Sequence, residues 1–144
     1  MKNYFKMLFS LKRAGMNKVI TFFGIKIKLP LYSNCYLPDT EMLERQNVEF
    51  PHPIGIVIAK SAKLGKNCVI YQNVTIGGKN HSLEYSRDNF PTLGDNVIVY
   101  AGACIIGGIK IGNNVQIGAN AVVTKDVPDN CIVVGNPARI IKRI

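Results

Sequence analysis

The chain has 144 residues, 47% of them hydrophobic, with four cysteines, two histidines and a formal net charge of +9. That length and apolar content predict one domain with a modest core and exclude a disordered chain, and no apolar run approaches the roughly 20 residues a membrane-spanning helix needs. Positive charge alone would suit nucleic acid, yet no basic or aromatic motif accompanies it, so no nucleic-acid partner is expected.

The basic excess is concentrated at the start. Residues 1–38 contain no acid, whereas Lys2, Lys6, Lys12, Arg13, Lys18, Lys26 and Lys28 supply seven of the eighteen bases. Residues 1 to about 30 read as a pre-solenoid segment, helical near its start, with Gly24 to Pro30 alternating as a short strand. A capping element is expected there in preference to a basic amphipathic segment resting on an anionic membrane surface. No uninterrupted apolar stretch is followed by a small-residue cleavage site, so the expected compartment is the cytoplasm. Pro30, Pro38, Pro51 and Pro53 then mark residues 31–53 as an irregular connector.

From Ile58 an aliphatic residue recurs every six positions: Ile58, Leu64, Ile70 and Ile76, then Leu93, Val99, Ile105, Ile111, Ile117 and Val123. The residue two places earlier is small or aliphatic, as at Ile56, Ala62, Cys68, Val74, Val97, Ala103 and Val115. Side chains alternate along a strand, so these two positions point the same way and a bend must follow before the next hexad. The pattern is that of an all-β solenoid, a parallel β-helix built of hexapeptide repeats. Each buried aliphatic residue contributes about 1.5 to 3 kcal/mol before chain entropy is subtracted. Gly and Asn crowd the bends, where backbone with positive φ is needed.

The ladder is interrupted once. From Ile76 to Leu93 the step is seventeen residues, and the polar stretch between them reads as a loop, 78–90, thrown outward from a corner and lying beside a binding site. The second solenoid section runs from Pro91 to about Val127, and residues 128–144 form a cap with a basic end. The expected organisation is therefore an N-terminal segment and connector, 1–50, packing on a β-helical domain, 51–144.

The cysteines have no metal-like spacing, and a thiol at Cys68 or Cys104 stands in for a small apolar residue. Two histidines are too few for a three-histidine zinc site, so no metal is expected. His52 stands between two prolines just before the first strand, where it can project from the prism edge. An imidazole there can take a proton from a hydroxyl and return it later.

The ordered set His52 to Val57, Asn73-Val74-Thr75-Ile76-Gly77-Gly78, Gly94-Asp95-Asn96-Val97 and Gly135-Asn136-Pro137-Ala138-Arg139 resembles the left-handed β-helix acyltransferases, in particular the serine acetyltransferase branch. The resemblance covers roughly residues 51–144. It implies left-handed winding, a homotrimer, acetyl-CoA as co-substrate bound between neighbouring prisms, and His52 as general base on the acceptor hydroxyl. Backbone N–H groups near Gly77 and Gly78 would stabilise the oxyanion. Positions matching Ala101, Ala119, Thr124, Lys125 and Arg139 line the CoA channel in the family. Small side chains leave room for the pantetheine arm, and Lys125 and Arg139 supply cations for its phosphates; the competing readings are tight corners and solvated surface charges.

Where that branch carries a second histidine before the proline that reopens the ladder, this chain has Phe90. The substitution, together with the missing helical N-terminal domain, implies a small hydroxylated acceptor that is a sugar or polysaccharide precursor, with Phe90 as an apolar platform and His81 of the loop as a further acceptor contact. Serine O-acetylation for cysteine synthesis is the alternative, and a non-catalytic β-helical scaffold is the reading from another class. A carboxylate is expected to orient His52, with Asp39, Glu41 and Glu49 as candidates.

Overall fold

The computed structural model describes residues 9–14, 17–22, 25–30, 35–37, 40–79 and 89–144. Contacts divide the chain into two units, Met1–Ser33 and Asn34–Ile144.

In the first unit, β1 (Phe9–Ala14), β2 (Asn17–Phe22) and β3 (Ile25–Pro30) form an antiparallel meander. Ala14 pairs with Asn17 and Phe22 with Ile25, so each connection has only two residues. The helix expected near the start is corrected here to strands for residues 9–22; residues 1–8 lie outside the described residues. Lys18-Val19-Ile20-Thr21-Phe22 and Ile25-Lys26-Ile27-Lys28-Leu29 are rich in β-branched residues, and the second alternates apolar and basic with period two, a pattern that suits pairing better than a helical stripe.

The second unit is a three-sided parallel β-helix. On one side, face one, Lys63 bridges to Thr92 of β7 (Thr92–Leu93), which pairs with β10 (Lys110–Ile111), and Ile111 bridges to Val127. Face two stacks β5 (Val69–Ile70), β8 (Ile98–Val99), β11 (Gln116–Ile117) and β13 (Cys131–Val134), with Glu49 bridging to Val69 below. Face three stacks β4 (Val57–Ile58), β6 (Thr75–Gly77), β9 (Cys104–Ile106) and β12 (Val122–Val123), with Tyr36 bridging to Val57. After Val134 the chain turns back as β14 (Arg139–Arg143), antiparallel to β13. The ladder therefore continues past Val127 for one more strand of face two, where a cap was expected.

Register accounts for the hexads. Ile58 lies beside Ile76, Ile76 beside Ile105 and Ile105 beside Val123, in steps of 18, 29 and 18 residues. One turn is three hexads, and the excursion after Gly77 lengthens one turn by eleven residues. Every one of these aliphatic side chains is buried, as are Leu64, Leu93 and Ile111 of face one and Ile70, Val99, Ile117 and Val133 of face two. They form a single column with no buried polar side chain among the described residues.

Residues 35–50 belong to this unit. A short helix, α1 (Thr40–Arg45), takes the place of a face-one strand in the lowest turn, and its Leu43 is fully buried there. The turn is also longer than the regular 18-residue turns. Glu49 to Val69 is a step of 20 residues, while Val57 to Thr75 is 18, so two extra residues lie between face two and face three of the lowest turn. They fall in Pro51–Ile54. No helix among the described residues is long and apolar enough to cross a membrane.

Candidate active site

The extra residues at the lowest turn push His52 out of the corner between faces two and three. His52 is exposed, and its carbonyl accepts from Ile54 N–H at 2.8 Å, which closes the bulge. The prolines on either side fix two of the local φ angles. Its ring lies 6.2 Å from that of Tyr71, tilted by 49°, and Tyr71 stacks on Tyr100 at 5.5 Å and 20°. Tyr71 and Tyr100 follow Ile70 and Val99, which are paired one above the other, so the rings climb the edge at one rung per turn.

Backbone geometry keeps this edge slim. Gly55, Asn73, Gly102 and Asn120 all have positive φ at the same corner. A Cβ on Gly55 would collide with Asn73 Oδ1, and one on Gly102 with Asn120 Oδ1, so each asparagine amide fills the space over the glycine of the turn below. Ala101 and Ala119 occupy successive rungs here, with Asn120 N–H donating to the Ala101 carbonyl at 2.9 Å. Above Tyr100 the column continues with Gly118, whose missing Cβ space is filled by Val134 Cγ1, and Val134 pairs with Arg139. The Arg139 guanidinium donates to the carbonyl of Ala138 at 2.8 Å. Thus His52, Ala101, Ala119 and Arg139 lie along one edge. His52 is at the bottom and Arg139 at the top, five rungs apart, or about 24 Å at the usual strand spacing.

The remaining candidates fall elsewhere. Thr124 and Lys125 are exposed at the opposite edge of face three, just beyond Val123. Gly77 and Gly78 lie at that same far edge, where Gly107 N–H donates to the Gly77 carbonyl at 2.9 Å. Phe90 packs there too, its Cε1 3.1 Å from where a Gly78 Cβ would be. Strand β6 separates these groups from the His52 corner by roughly 15 Å within one chain. His81 lies outside the described residues.

The expected orienting carboxylate does not reach His52 among the described residues. Glu41 pairs with Arg45 at 3.5 Å on α1, Glu49 is exposed on face two, and the Asp39 side chain is outside the described set. Neither Lys125 nor Arg139 pairs with an acid among the described residues, which leaves both cations available to an anion. No three His, Cys, Asp or Glu side chains gather closely enough among those residues to share an ion. At the neighbouring corner, burial pushes the Cys68 thiol up from its ordinary range, as expected for a thiol used as a small core residue.

The Tyr71–Tyr100 stack and Gln72 were not singled out from the sequence. Gln72 Oε1 is buried without a hydrogen-bond partner, directly beside Tyr71. The signal for the tyrosines was available in the residue after each aliphatic position, once the eleven inserted residues are subtracted.

The family "Bacterial transferase hexapeptide (six repeats)" matches residues 90–125. A serine acetyltransferase of Synechococcus elongatus is 48% identical over 98 residues, covering 68% of this chain and 39% of that protein. The solenoid is a hexapeptide-repeat domain similar to that of serine acetyltransferases. Among solved structures, the Neisseria gonorrhoeae serine acetyltransferase in complex with serine is 41% identical with a TM-score of 0.60, covering 66% of this chain and 37% of that one. The Brucella abortus serine acetyltransferase in complex with coenzyme A is 33% identical with a TM-score of 0.61, covering 76% and 40%. The left-handed winding of the parallel β-helix follows from this kinship. The chain spans about two fifths of the length of the curated relatives it matches.

Proposed function

We propose that this protein is an acetyl-CoA-dependent O-acetyltransferase with His52 as its general base. The observation that carries the reading is the edge itself. An exposed imidazole and an arginine free of acids stand at its two ends, with no charged side chain at 51–55, 71–73, 100–102, 118–120 or 134–138 between them. That span, shortened by the reach of the Arg139 side chain, suits an extended pantetheine arm with its thioester at His52 and its phosphates at the guanidinium. Ala101 and Ala119 leave the arm room, and the relative with bound coenzyme A supports the donor.

His52 takes the proton of the acceptor hydroxyl as its oxygen attacks the thioester carbonyl. The tetrahedral oxyanion collapses, the carbon–sulfur bond breaks, and the CoA sulfur leaves with the proton that His52 returns. The products are an O-acetyl ester and CoA. Much of the rate comes from holding the two reactants together.

Gly77, Gly78, Phe90, Thr124 and Lys125 reach such a site only from a second copy, which supports a homotrimer with its clefts between prisms. The outward side chains suit that assembly. Face one carries Lys63 and Lys110, whereas from β5 upward face two presents Val69, Ile98, Gln116 and Ile132, and face three presents Val57, Thr75, Cys104 and Val122. Four free cysteines and a CoA donor fit a cytoplasmic location.

For the acceptor, the relatives support serine better than the saccharide expected from the sequence. A saccharide remains a second reading on one observation: the His52 corner offers no counter-charge to an amino-acid zwitterion from its own chain. Thiol release from acetyl-CoA, measured with serine and with nucleotide sugars, separates the two. Absence of thiol release with every acceptor, together with no thermal shift on adding CoA, would leave a non-catalytic scaffold.

A further inference from the structure

A general base must point its nitrogen within about 2.6 to 3.2 Å of the proton it takes. The bulge at residues 51–54 fixes the backbone of His52 through two prolines and the bond from Ile54 N–H, but an exposed side chain there is free to change rotamer. Among the described residues no carboxylate holds it, and the one ring it meets there is Tyr71. We infer that Tyr71, braced from its other side by Tyr100, is the positioning residue for the His52 imidazole. The inference rests on the reading of His52 as base.

The geometry suits that role. Tilted rings at 6.2 Å and offset-stacked rings at 5.5 Å both fall in the favourable range for aromatic pairs, each about 0.5 to 1.5 kcal/mol beyond burial. Tyr71 has one neighbour below and one above, so its ring cannot swing without breaking a stack. When His52 holds the acceptor's proton, the imidazolium is also attracted to an electron-rich ring face. An acceptor platform is the rival role for these tyrosines. The open side of Tyr100 lies two rungs above His52, about 10 Å away, and an acceptor stacked there would be out of the imidazole's reach.

The test is steady-state thiol release by the full chain, with acetyl-CoA and whichever acceptor is turned over. Tyr71→Leu is expected to lower kcat by about 10 to 100-fold with KM for acetyl-CoA held within about two-fold, as misplacing a catalytic group does. Tyr71→Phe keeps the ring and should restore kcat to within about two-fold, while Tyr100→Leu should cost about three-fold. Wild-type kcat in Tyr71→Leu alongside an inactive His52→Ala overturns this inference and leaves the base intact. An active His52→Ala overturns both. Loss in Tyr71→Phe equal to that in Tyr71→Leu also overturns it, because the hydroxyl would then be the working group; so does a change confined to acceptor KM.

Discussion

Two corners of the same prism are built in opposite ways. Between faces one and two, Asn47, Asn67, Asn96, Asn114 and Asn130 all hold positive φ, and each amide donates to the next, at 3.0, 3.2, 3.0 and 2.9 Å. A parallel file adds backbone donors to side-chain oxygens: Lys66 N–H to Asp95, Asp95 N–H to Asn113 and Asn113 N–H to Asp129. Between faces two and three the file alternates glycine with asparagine, carries a two-residue bulge, stacks aromatic rings and leaves Gln72 Oε1 without a partner. The first corner ties its asparagine and aspartate side chains into continuous files, with Gln46 Oε1 at its foot as an acceptor without a partner. The second leaves an imidazole, stacked aromatic rings and slim backbone facing outward, which is what a binding edge requires.

Perturbations should separate the two corners from the core they share. Ile105→Ala empties a site with no exposure in the middle of the column and should cost about 2 to 5 kcal/mol in denaturant unfolding, whichever corner is watched. Asn96→Ala removes two rungs of the amide file and puts a Cβ-bearing residue without a side-chain bond at φ 57°, so about 1 to 2 kcal/mol should be lost with kcat unchanged. Gly102→Ala should cost a similar amount, since its Cβ meets Asn120 Oδ1 and its φ is 72°, but here KM for acetyl-CoA should rise too. An effect on KM from Asn96→Ala and none from Gly102→Ala would reverse the assignment of the corners.

Charge and thiol chemistry give smaller contrasts. Arg139→Gln should raise KM for acetyl-CoA by about ten-fold while leaving the melting temperature unchanged. Burial keeps the Cys68 thiol protonated, so native protein treated with iodoacetamide at neutral pH should be modified at Cys35 well before Cys68, as mass spectrometry would show.

The periodic part of this molecule was legible because burial imposes the period: every aliphatic hexad residue from Ile58 to Val123 is in the column. The lowest turn was not, because among the described residues only Tyr36 and Glu49 pair there and α1 replaces a strand. Residues that read as a connector are in fact the first rung. His52 was legible as an exposed edge histidine, whereas its neighbours were not: Tyr71 and Tyr100 are 29 residues apart and occupy the outward position that hexad counting ignores. Of the meander, the strand at Ile25–Pro30 was legible in its alternation, whereas the strands at residues 9–22 were missed because their alternation is short and scattered aromatic residues imitate a helical stripe. The carboxylate expected beside His52 is a lesson of another sort, since a requirement of the chemistry does not say which side chain meets it.

The central claim is that the imidazole on the bulge performs the proton transfer in the groove of the slim edge. Thiol release by His52→Ala, measured at saturating acetyl-CoA with CoA binding followed by thermal shift, tests it most directly. Turnover lower by about 10² to 10⁴-fold with CoA still stabilising the protein is the predicted result. Turnover equal to that of the unaltered protein would contradict it.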